Sequence, residues 1–329
     1  MASRDDQLMV LLNLRCKLPH MSASALAAII AEFKKSGAPS LGGRKNIRMA
    51  RENLVNRGTP YGQLHQTVSV MKKTGGATRL VVQHPFAMLH LATEDGGEFA
   101  SFLEKRYDEH RCSIEDPWNL VFYADEVTPG AALKHDNLRK MQAVYWSFLE
   151  LGPAALAKEI CWFVYTSKRS SEVRLLKGGM IQVFKVMLEM FFSKTHHNIA
   201  LAGIVLVLPS GRRIRIYAVI NAFVMDEAAH KEIWGCKGAS GLKNCMLCMH
   251  HTKLDHGLPV YDSYFQEFMQ DARRFDLHTD ATLKAVMRRL QREVNSGGDV
   301  EALQIQLGWV YDDQNLLLNG EQYTNIQGI

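Results

Sequence analysis

Two aspartates in this chain each follow an apolar run that reads as a β-strand. Asp125 closes the run 119–125, with Pro129-Gly130 beyond it as a turn, and Asp226 follows Val224-Met225 where a helix begins. A carboxylate delivered at a strand end suits Mg²⁺ or Mn²⁺, which take oxygen ligands and few protein groups. Each residue also has a plain alternative, Asp125 as a turn or cap acid and Asp226 as the N-cap of its helix. The value lies in the pair. Two acids at the ends of two strands of one sheet can share two metal ions about 4 Å apart for in-line phosphoryl transfer.

A second constellation is Cys236-x8-Cys245-x2-Cys248, followed by His250, His251 and His256. Cys-x-x-Cys is half of a zinc site, and thiolate and imidazole both suit Zn²⁺. Cys245 and Cys248 lead the ligand set, with Cys236 and His251 as its completion. Lys237-Gly238-Ala239-Ser240-Gly241 supplies the tight backbone that such a knuckle needs. Redox chemistry and plain buried thiols stay open as alternatives, although no thioredoxin-like βαβ pattern precedes the pair. Arg212, Arg213 and Arg215 form a basic run that could track a DNA backbone or serve solubility on an exposed strand.

The elements that must position these residues are legible in outline. Helical spacing covers 21–35 and a second basic helix covers 44–56, either a DNA-binding unit or a plain helical pair. The β-branched stretches 67–70 and 78–83 flank a hairpin turn at 72–76. A mostly helical stretch follows over 86–106. Beyond Asp116-Pro117 come strands over 119–125, 141–150 and 160–166, then a long helix over 173–192. A hairpin of 203–208 with 212–223 leads to a short helix through Trp234, and a further helix spans 280–294. The order β-β-β-α-β with a helix after it is what an RNase-H-like mixed sheet with flanking helices requires, an α/β (α+β) class. The paired strands after the long helix depart from that order. Three regions result: a basic, mainly helical 1–115, a core with its Cys-rich knuckle over 116–255, and a helical 256–329.

Charge is unevenly spread. Residues 1–79 hold 13 Lys and Arg against four acids, a net of +9, while the remainder is net −4. A basic head on a mildly acidic body suggests an arm for a polyanion or, more plainly, a solvated basic segment. No apolar run reaches the roughly 18 residues of a membrane span. The apolar stretch 8–14 follows Asp5 and Asp6 where a signal peptide wants positive charge, so the expectation is an intracellular protein. Six cysteines, unevenly placed, do not make a disulfide framework in 329 residues.

The segments Asp125-Glu126-x-x-Pro129-Gly130, Asp136-Asn137-x-Arg139-Lys140 and Tyr145-Trp146-Ser147-Phe148 together resemble eukaryotic DNA transposases of the CACTA, Plavaka and KDZ-like group. Asp226-Glu227-Ala228-Ala229-x-Lys231, with Lys237-Gly238-Ala239-Ser240-Gly241-x-Lys243-x-Cys245-x-x-Cys248, is similar to the same group and is its most specific part. The resemblance covers roughly residues 117 to 255. It implies an RNase-H-like domain whose Asp-Asp-Glu triad cuts transposon ends and joins them to target DNA with Mg²⁺ or Mn²⁺. Asp125 corresponds to the first acid and Asp226 to the second. It further implies a DNA partner, a nuclear location and self-assembly into a homo-oligomer. In such proteins the third acid lies on a late helix past a long insertion. Glu293, Glu301 and Glu321 are available here but match no motif, so the expected core is incomplete or inactive. The competing expectations are a non-catalytic, zinc-containing nucleic-acid-binding protein derived from such an element, a genomic remnant without selected function, and an RNase-like hydrolase on the same fold.

Overall fold

A computed structural model describes residues 58–94, 96–128, 139–158, 161–193, 197–243, 245–251, 266–268 and 271–319. The helices expected over 21–35 and 44–56, the Pro129-Gly130 turn, His256 and Glu321 lie outside the described residues. The chain divides into two compact units, residues 1–65 and 66–329. In the described part of the first, Gly58–Thr59 pairs antiparallel with Gly62–Gln63.

The second unit is mixed α/β. Its hairpin joins β1 (His65–Met71) to β2 (Ala77–Gln83), matching the β-branched stretches on either side of the Lys72–Gly76 turn. The mostly helical stretch expected over 86–106 is two helices, α1 (Pro85–Glu94) and α2 (Glu98–Glu109). Gly96 and Gly97 separate them at φ 76° and 96°, a left-handed backbone that ends a right-handed helix.

The centre is a four-stranded sheet made by β3 (Trp118–Val127), β4 (Met141–Phe148), β5 (Phe163–Arg169) and a late strand described below. β3 and β4 are antiparallel, as are β4 and β5. Next comes α3 (Met180–Phe192), which starts seven residues later than the apolar pattern suggests. Gly178 and Gly179, at φ 75° and 56°, break the pattern ahead of it.

The stretch read as one strand over 212–223 is two. β6 (Ile204–Val207) pairs with β7 (Arg213–Ile216) as a separate ribbon. The chain turns at Tyr217, whose carbonyl accepts from the Trp118 N–H at 2.8 Å. β8 (Ala218–Met225) then joins the main sheet beside β3, giving the order β8-β3-β4-β5. Only the β8–β3 pair is parallel. α4 (Glu227–Trp234), α5 (Asp280–Ser296) and α6 (Val300–Leu307) follow.

One face of the sheet is a closed aromatic core. Phe122 and Phe223, cross-strand partners, stack at 5.4 Å, and Trp146 stacks on Phe163 at 4.7 Å. Phe191 from α3 meets Phe122 at 5.3 Å, Trp146 at 5.2 Å and Phe86 of α1 at 5.8 Å, each edge to face. Such ring pairs favour offset and T-shaped arrangements. The opposite face behaves differently and holds the acids.

Candidate functional site

Strand alternation sorts β3. Phe122 and Ala124 point into the aromatic core, so Tyr123, Asp125 and Val127 point to the other face. Met225 is the parallel partner of Ala124. The ladder ends there: Asp226 is the next residue, past β8, and caps α4, while Asp125 is the next residue on β3. The register thus carries the chain from one aspartate's strand to the start of the helix that the other caps, although 101 positions separate them.

Each carboxylate is held by one oxygen. The Tyr123 hydroxyl donates to Asp125 Oδ2 at 2.8 Å. That bond, then burial and the charges of Asp125 and Asp226, raise the Tyr123 pKa above its ordinary value. The Ala229 N–H donates to Asp226 Oδ1 at 2.7 Å, so Asp226 is indeed the N-cap of α4. The second oxygen of each acid accepts no hydrogen bond among the described residues. Two neighbouring carboxylates, each with an unengaged oxygen, fit a hard divalent cation as far as two protein ligands go. Among the described residues, no group of three or more His, Cys, Asp or Glu is arranged to hold a metal ion.

Other charges surround the pair. Glu126 faces the opposite way and takes Lys140 Nζ at 2.6 Å and the Ser170 hydroxyl at 2.8 Å. Burial alone would raise its pKa, but these two bonds and the Lys140 and Arg174 charges outweigh it and lower it. On α4, Glu232 goes the other way. Packing around its carboxyl raises its pKa, Glu126 and Asp226 add repulsion, and Arg174 opposes. Nothing in the sequence marks Glu232, because only the docking of α4 brings it toward these acids. His230, one turn past Asp226, is shifted down by burial, with Asp226 opposing.

The knuckle is separate from the pair in sequence and composition. Cys245 and Cys248 are hydrogen-bonded, and the Leu247 N–H points to Cys245 Sγ at 3.4 Å. Burial, and then Cys245, push the Cys248 thiol up to about 11. Cys236 is also raised, first by burial and in part by Cys245, so Cys245 links the three thiols. His251 is driven down to about 4 by burial, Lys243 and His250, which keeps its imidazole neutral. Lys243 itself is buried and pushed down to about 8. The thiol pair fits half a zinc site, and a neutral imidazole suits the metal.

His278 arrives at the knuckle from far along the chain. Its N–H donates to the Leu247 carbonyl at 2.8 Å, and Leu277 bridges Cys248. Its Nδ1 bonds Thr282 Oγ1 at 3.1 Å, and its Nε2 is buried without a hydrogen-bond partner. Spacing alone offered no signal for it, since 30 residues separate it from Cys248.

The arginine run lies at the other end of the sheet. β8 has eight residues, about 26 Å at 3.3 Å each, and it separates Arg212, Arg213 and Arg215 from Asp226. Arg212 bonds Asp108 at 2.8 Å and Arg215 bonds the Ala202 carbonyl at 2.7 Å, while Arg213 is exposed. Glu293 pairs with Arg289 at 3.6 Å on α5, and Glu301 is exposed in the first turn of α6. No protein-family model matches the chain, and no curated protein matches it.

Proposed function

We propose that this chain is a transposon-derived DNA transposase core of the RNase-H-like type, acting in the nucleus on DNA. Asp125 and Asp226 are its metal-binding carboxylates. One observation carries the reading: the only parallel strand pair in the β8-β3-β4-β5 sheet ends its ladder at Met225 beside Ala124, one residue before each acid. An RNase-H-like sheet has this order when its fourth strand returns beside its first, and β6–β7 is then an added ribbon. Divalent ions held there would activate a water or a 3′-hydroxyl and stabilise the leaving oxygen. The protein's part is positioning. Tyr123 fixes Asp125 through one oxygen, and the first turn of α4 fixes Asp226 through one oxygen.

The test is nicking of supercoiled plasmid by purified protein with Mg²⁺ or Mn²⁺. Nicking in the wild type, with a loss of at least about 100-fold in both Asp125→Asn and Asp226→Asn, is the expected result. Equal nicking in the wild type and both variants would remove the reading.

A second reading is a non-catalytic, zinc-containing nucleic-acid-binding protein derived from such an element. It is favoured by the cap bond of Asp226, which gives that acid a structural use. It expects salt-dependent DNA binding that survives Asp125→Ala, with no nicking in the wild type.

A further inference from the structure

We propose that the aromatic cleft beside Asp125 stacks an unpaired nucleobase of the strand presented to the carboxylate pair. The proposal rests on the reading that Asp125 and Asp226 act on nucleic acid. The cleft measures about 650 Å³ and is lined by Tyr123, Tyr145, Trp162 and Asp125 together with Val127, Val164 and Val224. Tyr123 lies 5.8 Å from Tyr145 and 5.9 Å from Trp162, in tilted rather than closed pairs. All three rings are only partly buried, and Val224 is 48% exposed. The contrast with the other face is sharp, because Phe122, Trp146 and Phe191 there are sealed.

Two observations select a nucleobase as the occupant. Three of the six residues lining the cleft beside Asp125 are aromatic, two of them phenols, and π-faces serve bases of any identity. A cation also stands at this end of the sheet. β5 ends at Arg169, the cross-strand partner of Met141, which pairs in turn with Val127 of the cleft lining. Arg169 is exposed and complements the phosphodiester of a bound strand. The Tyr123–Asp125 hydrogen bond couples ring and acid, so a stacked base would register the strand against the carboxylates.

The experiment uses the full chain and a duplex oligonucleotide with a short single-stranded gap carrying 2-aminopurine, in Ca²⁺ so that cleavage does not intervene. The wild type should quench the 2-aminopurine on binding and prefer the gapped to the fully paired duplex. Tyr145→Ala and Trp162→Ala should lose the quench and bind about 5- to 100-fold more weakly, while Tyr145→Phe and Trp162→Phe should retain both. Val224→Glu is a second route if an alanine variant fails to fold, since it places a charge at an exposed position in the cleft and should also abolish the quench. An unquenched wild-type complex would overturn the proposal, as would an unchanged quench in Val224→Glu. Concentration-dependent self-association that is lost in Val224→Glu, without change in DNA binding, would assign the cleft to a second copy and also overturn it. Failure here with intact Asp125-dependent nicking leaves the transposase reading standing. Failure of nicking with intact stacking removes that reading and leaves a binder.

Discussion

Asp226 caps α4 with one oxygen, so substitutions can separate this structural use from the proposed chemistry. Asparagine keeps an N-cap acceptor and removes the charge. Asp226→Asn should therefore unfold in urea within about 0.5 kcal/mol of the wild type and lose nicking, while Asp226→Ala should lose nicking and about 1 kcal/mol of stability. A large stability loss in Asp226→Asn would show that the ionised form is itself structural. A different residue sets a pH dependence. His84 accepts from the Ala87 N–H at 3.3 Å at the start of α1 and packs on Phe86 at 5.4 Å. Burial first, and His197 second, lower its pKa from 6.5 to about 4. The unfolded chain then binds the proton before the folded one does. This stability is complete above about pH 6.5 and is lost as pH falls toward 4, up to roughly 3 kcal/mol. Urea midpoints at pH 7 and pH 5 should differ less in His84→Gln than in the wild type; an equal pH response would place the effect elsewhere.

At the scale of elements, α3 anchors the sheet through one ring. Phe191 is fully buried and touches Phe122, Trp146 and Phe86, which belong to β3, β4 and α1. Phe191→Ala should cost about 3–5 kcal/mol, because the lost transfer energy is joined by a cavity among rings that cannot collapse. Calorimetry checks this, and a cost under 1 kcal/mol would mean that the aromatic cluster repacks. The strand and helix types over 118–234 followed from apolar runs and turn residues. Their limits did not. The glycine pairs at 96–97 and 178–179 acted through backbone conformation, and the long 212–223 run was cut at Tyr217 by its pairing with Trp118. Apolar periodicity carries no record of which strand a run will pair with.

For the whole molecule, the proposed metal binding is testable through folding stability. Ions that bind only the folded chain raise its stability by mass action, about 2.7 kcal/mol at 100 times Kd. Mn²⁺ should therefore raise the thermal midpoint of the wild type and leave that of Asp125→Asn nearly flat. Equal shifts in both would detach metal binding from Asp125. No helix among the described residues is long and apolar enough to cross a membrane.

The residues most able to do chemistry, Asp125, Asp226, Cys245 and Cys248, were identifiable from type and position alone, because strand ends, helix starts and short Cys spacings are local features. Their partners were not. Tyr123 becomes the hydrogen-bond donor to Asp125 only because strand alternation puts both on one face, Glu232 nears Glu126 only when α4 docks, and His278 meets the knuckle only through the Cys248–Leu277 bridge. Above all, the parallel register of β8 on β3 ends its ladder one residue before each acid. Local sequence determines what a segment becomes, whereas which segments meet depends on burying shared apolar faces, and that is settled only by the folded chain.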